Sequence, residues 1–114
     1  MIAKKSEMRK EIKEKMRGGN GAITLRYLVP GTETFGKSRM IAELIMPKGS
    51  SIGPHDHVKE AEMYIITKGQ AYVTENGEGY TLNAGDVMYT GNGDFHSIEN
   101  KCDGDLVLYA VIFN

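Results

Sequence analysis

The sequence predicts an all-β domain, a sandwich or barrel, on three observations. From Ala22 onward, apolar and β-branched residues fall in short runs. Turn-forming residues interrupt those runs about every 8–12 residues, the spacing of short antiparallel strands. Fourteen glycines in 114 residues supply the tight turns such a chain needs.

Each element follows in order. Met8, Ile12 and Met16 recur every four residues, which fits a short helix with one apolar stripe. Ser6 is placed to cap it, and the run from Arg17 to Gly21 ends it. Residues 1–20 therefore read as an N-terminal extension, helical or extended. "AITLRYLV" is a strand closed by Pro30-Gly31, and "SRMIAELIM" a second closed by Pro47. The stretch from Glu62 to Leu82 holds two further runs, broken at Lys68-Gly69 and at Asn76-Gly77. Asn-Gly is the strongest short-range hairpin signal, because both residues tolerate positive φ. "AGDVMYTGNGDFHSIEN" gives two more short strands. "DLVLYAVIF" closes the chain and, being apolar on both faces, reads as buried on both. The total is eight to ten strands and almost no helix.

Composition narrows the classes. The formal net charge of −1 gives no global pointer to nucleic acid or membrane. Charge is uneven, with +4 on residues 1–17 and −5 on the rest. The acidic residues interspersed in the basic segment make it a solvated face rather than a binding arm. Cys102 is the single cysteine, so neither an intramolecular disulfide nor a cysteine-rich metal site can form. No apolar run reaches the length of a membrane helix and no apolar signal core opens the chain, so the expectation is a cytoplasmic protein. Met40, Met46, Met63 and Met88 lie in strand runs and read as core filling.

Two of the three histidines, His55 and His57, stand two residues apart. On a strand they share a face, with Cα atoms about 6.5–7 Å apart, as a chelating pair would. An H-x-H pair alone is equally compatible with ordinary hydrogen-bonded histidines. Glu62 opens the next strand and can return beside the pair if "VKEA" reverses the chain. His96 lies in its own short strand. Together these residues offer a mixed nitrogen and oxygen donor set for a divalent metal. Glu60 is a rival carboxylate, placed in the turn.

The spacing resembles the two signature motifs of the cupin superfamily. The first motif is G, five residues, H-x-H, three or four residues, E, six residues, G. Gly49, His55, His57, Glu62 and Gly69 match every anchor. The second is G, five residues, P-x-G, two residues, H, three residues, N. Gly85, Gly93, His96 and Asn100 match it, with Gly91 in place of the proline. The resemblance spans about residues 38–113 and is closest to small single-domain cupins. It implies a double-stranded β-helix, or jelly-roll barrel, over residues 21–114. It also implies one divalent metal ion (Mn, Fe, Zn, Ni or Co) held by His55, His57, Glu62 and His96.

Four protein ligands would leave one or two open positions, as at a catalytic site. The resemblance then implies a metal-dependent enzyme acting on a small carboxylate- or sugar-like molecule, as an oxygenase, decarboxylase or isomerase. A small-molecule binding or sensing module without turnover is the alternative, and a structural metal the third reading. Acid or base candidates are Tyr64, which shares the face of Glu62, then Tyr89 and Glu43. Arg26 or Arg39 could hold a substrate carboxylate. Apolar outer faces and sheet edges predict a homodimer.

Overall fold

The short runs become ten antiparallel strands. A computed structural model describes all 114 residues. The strands are β1 (Lys10–Glu14), β2 (Ala22–Tyr27), β3 (Ser38–Met46), β4 (Ser51–Asp56), β5 (Ala61–Lys68), β6 (Gln70–Glu75), β7 (Glu78–Asn83), β8 (Val87–Thr90), β9 (Phe95–Glu99) and β10 (Leu106–Phe113). Three short 3-10 turns, at Lys5–Glu7, Met16–Gly18 and Gly31–Thr34, are the only helical segments. No helix is long and apolar enough to cross a membrane.

Two sheets form a jelly roll. The larger has the order β1-β2-β3-β10-β5-β8 and the smaller β4-β9-β6-β7. Alternation along each strand turns one set of side chains inward. Ile23, Leu25, Leu44, Met46, Ile66, Leu106 and Leu108 from the large sheet meet Ile52, Val73 and Ile98 from the small one, all buried. The Asn76-Gly77 hairpin forms as expected, with both residues at positive φ and Glu75 paired to Glu78.

The expected N-terminal helix is a strand. β1 lies along β2, from Lys10 opposite Arg26 to Glu14 opposite Ala22. Residues at i and i+4 of a strand share a face but not a helical stripe, and Ile12 is 69 % exposed on the outer side. Ser6 lies inside a 3-10 turn and caps nothing. A helix of this length must recover its nucleation cost from tertiary packing, which three spaced apolar residues cannot supply. The free edge of β2 offers a complete ladder of backbone partners instead.

The closing strand also differs from expectation. β10 is central in the large sheet, between β3 and β5, yet only Leu106, Leu108, Ala110 and Ile112 are buried. Val107, Tyr109, Val111 and Phe113 face outward, partly exposed.

Asn100, the last anchor of the second motif, is a structural residue. It is fully buried, and its Nδ2 donates to the Met46 and Gly104 carbonyls, each at 2.8 Å. Its Oδ1 accepts from the Cys102 amide. Replacing it by alanine leaves two carbonyls without these donors, so Asn100→Ala is expected to lose about 2–3 kcal/mol. Urea denaturation checks this; a loss under about 0.5 kcal/mol, the size of an ordinary surface substitution, would refute the role.

Candidate metal centre

A β-bulge aims the histidine pair. Ser51 and Ile52 of β4 pair with Glu99 and Ile98 of β9, but His55 then pairs with His96, so Gly53 and Pro54 stand opposite Ser97 alone. Ile52 points into the core. Without the extra residue His55 would point outward; with it, His55 and His57 face the interior alongside His96. Glu62 comes from the other sheet, where β5 places it opposite Thr90 of β8. The site therefore joins the two layers, with His55 and His96 from one, His57 just past the end of β4, and a carboxylate from the other.

The four side chains converge. One atom from each lies within 4.8 Å of all the others. The His96 Nε2 is 3.0 Å from His55 Nε2 and 3.1 Å from His57 Nε2. Glu62 Oε1 is 3.0 Å from the Nε2 atoms of His57 and His96, and 3.7 Å from that of His55. His57, His96 and Glu62 are buried and His55 is half-buried. Two donors bound at right angles to an ion at 2.0–2.1 Å would stand about 3.0 Å apart. The observed spacing fits that arrangement.

The surrounding groups orient the imidazoles. His55 Nδ1 donates to the Gly53 carbonyl at 2.8 Å, and His57 Nδ1 donates to Glu60 Oε1 at 3.0 Å. Carbonyl and carboxylate oxygens only accept, so each Nδ1 carries the proton and, in the neutral ring, each Nε2 presents a lone pair inward. Thr90 Oγ1 lies 2.9 Å from His96 Nδ1 and can accept in the same way. Three lone pairs and a carboxylate facing one point repel one another unless a cation lies between them. The donor set therefore fits a divalent ion.

Glu60 is not a competing donor. Its carboxylate is gripped in bidentate fashion by Arg39, at 2.9 and 3.0 Å, and holds His57 from behind. The Arg39 guanidinium keeps the Glu60 carboxyl below its ordinary range. Arg39 itself occupies a second bulge, unpaired between Met40 opposite Ile112 and Ser38 opposite Phe113.

Burial works against ionised Glu62, but hydrogen bonding to His55, His57 and His96 outweighs it and brings the carboxyl far below its usual range. The hydrogen bond with Glu62 likewise raises His57, while burial lowers His96. Tyr64 is buried and stacks on His96, with centroids 4.9 Å apart and planes 5° from parallel. Burial lifts its phenol well above the ordinary value, and the nearby Glu62 charge adds to this.

The other candidates lie elsewhere. Tyr89 projects from the outer face, 59 % exposed. Arg26 and Glu43 pair with each other across β2 and β3 at 3.1 Å, also on the outer face. A cavity of about 120 Å³ opens beside the donors. His55, His57, Glu62, Tyr64 and Arg39 line it, together with Lys13, Met16 and Arg17 from the N-terminal segment. Sequence patterns gave no sign of Thr90, the Gly53 carbonyl, Lys13 or Arg17 at the site, because none belongs to a spaced motif, and Met16 belongs only to the expected helical stripe.

A jelly roll with three histidines and a glutamate gathered between its sheets defines a class of small metal-site β-barrels. The chain belongs to the cupin family: the family model described as "Cupin domain" matches residues 42–112. An oxalate-binding protein of Thermotoga maritima is 38 % identical over 112 residues, covering 98 % of this chain and 93 % of that protein. A crystal structure described as a predicted oxalate decarboxylase from Thermotoga maritima superposes with a TM-score of 0.95 at 38 % identity, covering 99 % and 98 % of the two chains. The cupin domain of Schizosaccharomyces pombe Cnp3 shares the fold, with a TM-score of 0.74 at 15 % identity over 91 % of this chain and 68 % of that one.

The electrostatics give a pH dependence for protein kept in chelator. A carboxyl with a lowered folded pKa stabilises the fold above its unfolded value and loses that contribution as pH falls. His57, raised, stabilises below about pH 6.5, and its contribution is lost as pH rises through its folded value; His96, lowered, acts in the opposite sense. Among the carboxyls held low, which include Glu60 and Glu11, Glu62 is shifted furthest and dominates acid sensitivity. Stability by urea denaturation is expected to fall below about pH 4.3, and Glu62→Gln to flatten that limb. Parallel limbs in the two proteins would refute the assignment.

Proposed function

We propose that this protein binds one divalent metal ion through His55, His57, Glu62 and His96 and uses it to hold a small dicarboxylate of the oxalate class. The carrying observation is the convergence of four potential donor atoms beside a cavity of about 120 Å³. A space that small admits a ligand of a few heavy atoms. Its lining is rich in cations, with Arg39, Arg17 and Lys13 around the donors. The name of the Thermotoga relative supports the same ligand class. The ion supplies positive charge and open coordination positions, and the protein supplies a dry, shaped, cationic wall.

Binding without turnover is the reading the residues favour. Decarboxylation requires a proton donor for the carbon left behind. Both carboxylates at the site are engaged, Glu62 with the histidines and Glu60 with Arg39 and His57. Tyr64 is the group a decarboxylase or oxygenase reading would use, since its high pKa keeps it protonated. Loss of product formation in Tyr64→Phe would identify that reading.

Protein purified without chelator is expected to carry one transition-metal ion per chain by elemental analysis, and His57→Ala to carry none. Glu60→Gln keeps all four donors but weakens the support behind His57, so its metal affinity is expected to fall about 10–100-fold in chelator competition. Titration calorimetry of the loaded protein is expected to show one oxalate site per chain and no heat after metal removal. Absence of metal, or oxalate heat unchanged by chelation, overturns the proposal.

We also infer that a second copy of the chain covers the outer face of the large sheet. Ile41, Ile45, Met63, Ile65, Tyr109 and Val111 lie side by side there. Among them stands the Arg26–Glu43 pair, whose Arg26 Nε is buried with no acceptor. A two-fold contact would cover the apolar residues around that pair. Light scattering is expected to give a dimer mass, and Val111→Lys a folded monomer. A wild-type monomer at micromolar concentration overturns this inference.

A further inference from the structure

The N-terminal segment lies against the metal cavity as a strap, with Lys13, Met16 and Arg17 in its wall. The Ser51 amide donates to the Asn20 carbonyl at 2.9 Å, and the Asn20 amide to Ser51 Oγ at 2.8 Å. The strap lies directly on the bulge that aims the histidines. A Cβ at Gly53 would stand 2.1 Å from the Arg17 carbonyl oxygen, and one at Gly19 would stand 2.2 Å from that of Ser51. Only glycine permits an approach this close.

The strap backbone is unusual. Lys15 and Arg17 both adopt left-handed φ of 52°, followed by Gly18 at 78°. Two non-glycine residues in this region within three positions cost free energy that the surrounding contacts must offset. The conformation places Met16 and Arg17 in the cavity wall. Arg17 also borders a shallow surface depression with Pro54, His55, Asp56, Gly93 and Phe95. It thus stands between solvent and the donors.

Arg17 differs from the other cations there. Arg39 is held by Glu60, and Lys13 lies 3.4 Å from Glu11. Arg17 has no carboxylate within ion-pair distance, and it lines the same cavity as His55, His57 and Glu62. A guanidinium without a counter-ion, presented beside a metal-donor cluster, matches the planar bidentate geometry of a carboxylate.

We propose that Arg17 is the anion-recognition residue of this site, so that the N-terminal strap, rather than the two cupin motifs, selects a negatively charged ligand. This rests on the reading that a metal-loaded centre takes a small dicarboxylate. The motifs place the donors, and the strap contributes the charge that draws and holds the outer carboxylate.

The test uses the Co(II)-loaded full chain, whose visible spectrum reports ligands entering the coordination sphere. Oxalate, azide and neutral imidazole are titrated into wild type, Arg17→Asn and Arg17→Lys. Asparagine tolerates the left-handed backbone, so Arg17→Asn removes the charge with least strain. A matching melting temperature and cobalt stoichiometry show that fold and donors persist, and Arg17→Lys serves if Arg17→Asn fails to fold. In Arg17→Asn, oxalate affinity is expected to fall about tenfold or more, the loss of one charge-assisted contact. Azide is expected to weaken in the same direction, imidazole to bind unchanged, and Arg17→Lys to retain part of the oxalate affinity. Anion affinities within twofold of wild type in Arg17→Asn overturn the proposal, as does a parallel loss for imidazole, which would mark a purely structural strap. Wild type that ignores oxalate refutes the dicarboxylate reading, and the azide–imidazole comparison then still decides the role of Arg17. No response to any of the three ligands overturns both.

Discussion

Strand parity governs this molecule. His55 and His57 share a face by virtue of their spacing, but which face depends on a single extra residue in β4. The Gly53-Pro54 bulge shifts the register against β9 by one and turns both imidazoles inward to meet His96. Remove it, and the same residues in the same fold would point to solvent. The bulge also supplies the Gly53 carbonyl that sets the His55 tautomer, and the absence of a side chain there lets the strap lie flat. One irregularity thus serves donor direction, donor protonation and the seating of the strap.

The cluster it creates is costly by itself. Burying a carboxylate among three imidazoles removes all of them from water, and only specific partners recover that loss. Those partners radiate outward: Glu62 bridges to the imidazoles, Glu60 backs His57, Arg39 backs Glu60 and Thr90 backs His96. Because Glu62 and Thr90 belong to one sheet and the histidines to the other or to its margin, this polar network joins two layers that are otherwise joined by apolar packing. Such a network is rigid when complete, which suits a centre that must hold its donors at fixed spacing.

Much of this was legible in the residue pattern. Strand number, the Asn76-Gly77 hairpin and the convergence of His55, His57, Glu62 and His96 follow from period-two alternation and anchor spacing. The rest depends on non-local pairing. Met8, Ile12 and Met16 satisfy a helical spacing, yet the edge of β2 captured the segment as a strand, because ladder bonding is invisible to a local pattern. The sequence presents Glu60 only as a rival donor. Its role behind His57 depends on the conformation of a turn and on Arg39 arriving from another strand. β10 looked buried on both sides because apolar composition does not distinguish a core face from an outer one. Arg17 looked like one more solvated basic residue until its left-handed backbone set it in the cavity wall.

The strap is continuous with β1, which hydrogen-bonds to the rest of the molecule along one side only, through five residues paired with β2. An outermost strand unzips at a free-energy cost well below that of global unfolding. The sheet margin beside the cavity therefore opens more readily than the barrel itself. A ligand held by both the strap and the donors would slow the amide exchange of residues 10–14. Occupancy of the centre becomes readable in the solvent exchange of a strand at the sheet margin.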